Sequence, residues 1–183
     1  VADGADELAE EPAELAVRAA AGDESAWSAL VDRYVGMVHA ICRAHRLGGS
    51  DADDVNQVVW LRLVENLDRL REPGAIGGWI ATTARRECLR MLRVAARVDP
   101  FTDVESLEPT VETEPLQALL AAEGAGALWT SFAKLSSRCQ GLLRLLIVDP
   151  RPSYEEIGMA LGMPIGSIGP TRARCLAVLR TLL

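Results

Sequence analysis

The sequence predicts an all-α chain built as two small helical domains joined by an acidic linker. Three observations predict it. Leu, Ala and Val supply most of a 49% hydrophobic content, while aromatics make up only 4%; that balance favours packed helices over sheets rich in β-branched and aromatic residues. Apolar residues recur at three- and four-residue steps through most of the chain, the pattern of helices with one buried face. Between residues 98 and 115 the periodicity stops among Pro100, Pro109, Pro115 and intervening acids, the composition of an extended, solvated linker. The expected division is an acidic tail over 1–12, helical domains over 13–97 and 116–183, and the linker over 98–115. A chain of 183 residues has room for two such cores.

Residues 13–46 read as two helices, with Gly22 ending the first and Asp23 capping the second. Trp27, Leu30, Val31, Tyr34, Val38, Ile41 and Cys42 form the buried stripe of that second helix. Gly48-Gly49-Ser50 is a turn, and Ser50 is expected to cap a helix through Val55, Val59, Leu63 and Leu67 that Arg71-Glu72-Pro73-Gly74 breaks. The next helix runs from about Ile76 to Arg97. At 100° per residue, Ile80, Ala84, Cys88, Met91 and Ala95 share one side, and Trp79, Thr82, Arg86, Arg90, Arg93 and Arg97 the other. Beyond the linker, periodicity returns from Leu116 to Lys134. Ser136 caps a helix through Leu142, Leu143 and Leu146, which stops at Asp149-Pro150-Arg151-Pro152.

The net charge of −7 argues against a protein coated in nucleic acid, but its distribution is uneven. Acid concentrates in the tail and between Asp99 and Glu123; Arg clusters over Arg69–Arg97 and Arg172–Arg180. No run of about eighteen uncharged apolar residues is present, and Val1 to Glu14 lacks the basic and apolar regions of a signal peptide; the expectation is a cytoplasmic protein without membrane insertion. Cys42, Cys88, Cys139 and Cys175 lie far apart with no C-x-x-C pair, so they are expected to be reduced, half-buried apolar residues. His39, Cys42 and His45 share a helix without a fourth ligand nearby, so neither metal nor cofactor is expected. No glycine-rich phosphate loop or nucleophile–base arrangement suggests an enzyme.

Two motifs point to nucleic acid. Ser153-Tyr-Glu-Glu156 is a capping box opening a helix that Gly162 closes. Gly158, Gly162 and Ile168 then sit at helix-turn-helix spacing: a small residue for close approach, a glycine for the turn, and a branched residue plugging the angle. The second helix of such a motif puts its first turns against base edges, making Ser167, Thr171, Arg172 and Arg174 the expected contacts. Pro170 complicates this: either the recognition helix starts late, or it bends there. The second motif is the arginine stripe with Trp79. Guanidinium forks suit phosphates, and an indole offers a platform for an unstacked base.

Together these residues resemble extracytoplasmic-function sigma factors. Asp53-Asp-Val-Asn-Gln-Val-Val-Trp-Leu-Arg-Leu63 is similar to that family's region two, Gly78-Trp-Ile-Ala-Thr-Thr-Ala-Arg-Arg86 to its promoter-melting helix, and Leu135–Leu183 to its region four. The resemblance implies a non-catalytic subunit that directs core RNA polymerase to promoters and assists opening, with an anti-sigma factor as a further partner. It implies that Asp54, Gln57 and Leu61 dock on core polymerase. Trp79, Thr82, Thr83, Arg86, Arg90 and Arg93, with the loop Arg69–Gly74, would grip the melted −10 element, and Ser167, Thr171, Arg172 and Arg174 the −35 duplex. Val58 departs from an acid common in the family, and Gly169-Pro170-Thr171 from a more basic helix start. A sigma-like decoy that binds an anti-sigma protein without engaging DNA would leave the arginine stripe unexplained. A helix-turn-helix repressor would leave the Asp53–Leu63 helix without a role.

Overall fold

A computed structural model describes residues 11–98 and 125–183, whose regular elements are all helices. The acidic tail to residue 10, the linker from residue 99, the expected turns 116–124 and the Arg97 side chain lie outside the described residues. In chain order the helices are α1 (Pro12–Ala20), α2 (Glu24–Ala44), α3 (Gly49–Asn66), α4 (Ile76–Val98), α5 (Ala125–Ala133), α6 (Ser137–Leu146), α7 (Tyr154–Leu161) and α8 (Ile165–Leu182). Short 3-10 turns at Leu67–Arg69 and Pro73–Ala75 carry the chain from α3 into α4.

Local chemistry sets most boundaries. Pro12 occupies the first turn of α1, where its missing N–H costs nothing. Asp23 caps α2 by accepting from the Ser25 and Ala26 amides, and Arg18 of α1 donates to the same carboxylate at 2.7 Å. The hydrogen bonds from Ser25 and Arg18 hold the Asp23 carboxyl well below the usual carboxylate range. The cap of α3 is Gly48 rather than Ser50, which lies inside the first turn; a Ser-capped start would have begun the helix two residues later. Ser136 caps α6, and Ser153 and Glu156 form the complete capping box of α7. Gly162 ends α7 at φ 63°, left-handed backbone that favours glycine.

The first region is α1–α4, centred on Leu30, Val38, Ile41, Val59, Leu63, Ile76 and Ile80, all essentially inaccessible. The second, α5–α8, buries Leu142, Leu145, Ile157 and Ile168. The two are not separate bodies in this conformation. α6 packs on α2, α7 packs on α4, and a single apolar core runs from Leu15 to Cys175. Small residues make the seam: a Cβ on Gly141 would lie 2.8 Å from the Ala44 Cβ, and one on Gly78 would lie 2.8 Å from the Met159 sulfur. A side-chain carbon on Gly77 would overlap the Glu156 carboxylate, so the glutamate that caps α7 also seats that helix against α4.

One expectation about the cysteines is overturned. Cys139 of α6 and Cys175 of α8 are joined as a disulfide, with their Cα atoms 5.4 Å apart. Spacing of 36 residues concealed the pair, because only the packing of α6 on α8 brings them together. Cys42 and Cys88 are free thiols, fully buried with sulfurs 4.0 Å apart between α2 and α4.

Candidate nucleic-acid interface

α4 carries the arginine face. Arg86, Arg90 and Arg93 are exposed and three or four residues apart, while Ile76, Ile80, Ala84 and Cys88 are buried on the other side. Three members of the expected pattern are placed differently. Trp79 is half-buried and packs against the core, so only part of the indole faces outward. Thr82 is half-buried as well, and Ala95, expected on the apolar side, is exposed. Thr83 is only 7% exposed. The cause is periodicity: Ile76, Ile80, Thr83 and Glu87, at steps of four, three and four, form one buried stripe.

Glu87 is the residue that sequence reasoning missed. Its side chain is 4% exposed, and its two oxygens are both engaged. One lies 2.8 Å from Arg62 Nη1 of α3 in an ion pair, and the other accepts a hydrogen bond from Arg90 Nε at 2.7 Å. A buried carboxylate requires such pairing. The signal that could have revealed it was the Ile76-Ile80-Thr83 stripe, which Glu87 continues.

On α3, Asp54, Gln57 and Leu61 are exposed at helical spacing, and Val64 extends the row. Leu61 and Val64 are 59% and 58% exposed, an apolar pair with no cover among the described residues. The opposite face of α3 is fixed in place. Asn56 is buried, lies 2.9 Å from His39 Nε2 and accepts a hydrogen bond from Trp60 Nε1 at 3.0 Å, and Trp60 meets Trp27 edge-on.

In the second region the helix-turn-helix has the expected joints. A Cβ on Gly158 would come within 2.9 Å of the Met163 carbonyl oxygen and 3.9 Å of Ile168 Cδ1, and Ile168 is fully buried. The recognition helix α8 begins at Ile165, five residues before Pro170. Pro170 therefore lies within a helix that has already started and denies the Gly166 carbonyl its donor. Of the expected contacts, Arg172 and Arg174 are exposed, and Ser167 is half-buried with its hydroxyl donating to the Pro164 carbonyl. Thr171 is less accessible: it is 8% exposed, accepts from Arg174 Nη2, and shares the inward stripe of Ile168 and Cys175. Beside this helix a groove of about 340 Å³ is lined by Trp129, Phe132, Ile147, Leu176 and Leu179, with Arg144, Arg151 and Arg172 around it.

The seam holds the perturbed groups. Burial, reinforced by the Glu156 carboxylate, pushes the Tyr34 hydroxyl pKa up. Burial pushes His45 below its ordinary value near 6.5, opposed by a hydrogen bond with the Ala160 backbone and assisted by the Arg85 charge. His45 Nε2 and Arg85 Nε are both buried without hydrogen-bond partners.

Comparison with known proteins agrees with this layout. The model of Sigma-70 region 2 matches residues 30–98, which span most of α2 together with α3 and α4. The chain is 27% identical over 169 residues to the ECF RNA polymerase sigma factor SigE of Mycolicibacterium smegmatis, covering 88% of this chain and 64% of that relative. It thus spans just under two thirds of the relative's length. The structure of CnrH in complex with the cytosolic domain of CnrY is similar in fold, with a TM-score of 0.60 and 19% identity over 94% of this chain and 97% of that one. An N-terminal helical region carrying the matched segment, followed later in the chain by a helix-turn-helix region, makes the chain similar to the extracytoplasmic-function sigma-70 factors.

Proposed function

We propose that this chain directs core RNA polymerase to specific promoters and assists strand opening, catalysing nothing itself. The observation that carries the proposal is the row Arg86, Arg90 and Arg93, three exposed guanidiniums on one face of α4. Such a row suits the phosphates of separated −10 strands, with Trp79 and Thr82 at its N-terminal end. The α3 row Asp54, Gln57 and Leu61 suits docking on core polymerase, because exposed Leu61 and Val64 gain from being covered. Arg172 and Arg174 of α8, with Ser167, are the −35 contacts. Thr83 and Thr171 contribute from within, by packing. Regions 13–97 and 116–183 act as separate promoter-binding units joined by the 98–115 linker.

CnrH is seen with the cytosolic domain of CnrY; by analogy, an anti-sigma partner is proposed for this chain. None of the described helices is long and apolar enough to cross a membrane, in keeping with action in the cytoplasm beside polymerase. The net charge of −7 disfavours DNA binding by the free chain. Holoenzyme should bind promoter DNA tightly and with strong salt dependence, and free protein poorly. Run-off transcription with purified core polymerase on genomic fragments is the test. Specific initiation lost in Arg86→Ala and Arg90→Ala supports the reading; tight promoter binding by the free chain would overturn it.

A further inference from the structure

We infer that Arg62 of α3 is a second-helix contact to the separated strand, and that Glu87 is the positioning residue that aims Arg62 and Arg90 together. The inference rests on the proposed role of the α4 face. Sequence spacing puts the arginine stripe on one helix; the structure widens it across two. Arg62 Nη1 and Arg90 Nε converge on the two oxygens of one carboxylate that is 4% exposed. Their own side chains are 44% and 56% exposed, so each guanidinium has its root in the protein and its remaining edge in solvent.

The donor inventory gives this arrangement its use. A guanidinium has five N–H donors. Arg90 donates Nε to Glu87 and keeps both terminal nitrogens, while Arg62 turns Nη1 to the same carboxylate in an ion pair and keeps Nη2 and Nε. An exposed arginine samples many rotamers and must lose that freedom to hold a phosphate. A shared buried anchor removes much of the cost beforehand, because the carboxylate fixes both forks relative to the helices. Glu87 also neutralises only one of the two charges, so the cluster keeps a net positive charge facing outward. A carboxylate placed merely to stabilise α3 against α4 would need only one of these arginines.

The experiment uses reconstituted holoenzyme and a pre-melted fork template across a salt series. Arg62→Ala is expected to weaken fork binding roughly tenfold, the loss of a charge-assisted contact. It should also lower the salt slope by about 0.7, one single-strand phosphate, with core affinity unchanged. Arg62→Lys, which keeps charge but not the fork, should recover the slope and only part of the affinity. Glu87→Gln, nearly isosteric, should reduce fork binding, and Glu87→Asp should rescue part of it. If Glu87→Gln fails to fold, the Arg62 variants decide alone, since Arg62→Ala leaves Glu87 paired to Arg90. Arg86→Ala separates the two levels. If Arg86→Ala weakens fork binding and Arg62→Ala does not, the inference fails while the promoter-opening role stands. If neither does, the role of the α4 face itself fails. Equal loss of core affinity in Arg62→Ala makes Arg62 a docking residue and also overturns the inference.

Discussion

Gly141→Ala sets two opposed effects against each other at one position. Gly141 lies within α6, where replacing glycine with alanine removes backbone freedom from the unfolded chain and stabilises an isolated helix by about 1 kcal/mol. Against that, the added Cβ would sit 2.8 Å from the Ala44 Cβ and 3.4 Å from its Cα. Carbon atoms prefer about 3.5–4.0 Å, and neither neighbour can rotate away, since both are fixed to the α2 backbone. Overpacking of this kind costs about 1–3 kcal/mol. The net expectation is a destabilisation of about 0–2 kcal/mol. Gly169→Ala is the control: it too lies within a helix, and its Cβ would meet nothing within 4 Å. That variant should gain the full helix term of about 1 kcal/mol, worth about 2–4 °C in a chain of this size. Thermal and urea unfolding of both variants beside the parent gives the comparison. If Gly141→Ala raises the midpoint as much as Gly169→Ala, α6 does not rest on α2 in solution, and the reasoning about the seam is refuted.

Other outcomes follow from the same geometry. His45 has its folded pKa below its ordinary value near 6.5, so the unfolded chain takes up the proton first as pH falls. Its contribution is therefore complete above about 6.5 and lost from there toward the folded pKa. Urea midpoints between pH 7.5 and 5.5 should fall more in the parent than in His45→Gln, and parallel curves would contradict this. Leu61→Asp should leave stability within about 0.5 kcal/mol, as for an exposed site, yet weaken core-polymerase binding more than tenfold in a pull-down titration; unaltered docking would remove Leu61 from that surface. Ile168→Ala should cost about 2–5 kcal/mol and abolish −35-dependent transcription at temperatures where the first region stays folded. Cys42 and Cys88, fully buried, should resist alkylation in the native chain and react on unfolding, as mass spectrometry of pulse-labelled protein can show.

What could be read from the sequence was mostly what depends on neighbours along the chain. The Asp23 cap, the Ser153–Glu156 box and the Gly162 turn involve groups within five residues of one another, and all three are present. The helix-turn-helix was legible for the same reason. Thr83 and Thr171 are buried in this conformation, and the signal for that existed: each continues a three- and four-residue stripe of apolar neighbours, Ile80 before one and Ile168 and Cys175 around the other. A small hydroxylated residue on such a stripe is pulled inward by the residues it follows, whatever its own polarity. Glu87 and Arg62 stand 25 positions apart, so no local rule could join them. The disulfide and the seam between the two regions likewise depend on helices meeting in space.

The glycines along that seam have a mechanical consequence. Where two helices touch through leucines, rotamer changes let one surface creep over the other by degrees. At Gly77 and Gly141 one partner brings backbone alone, without a side chain to yield. A joint of that kind has little play: the halves stay latched in one register or come apart as whole units, and anything that wedges between them works as a key rather than a lubricant.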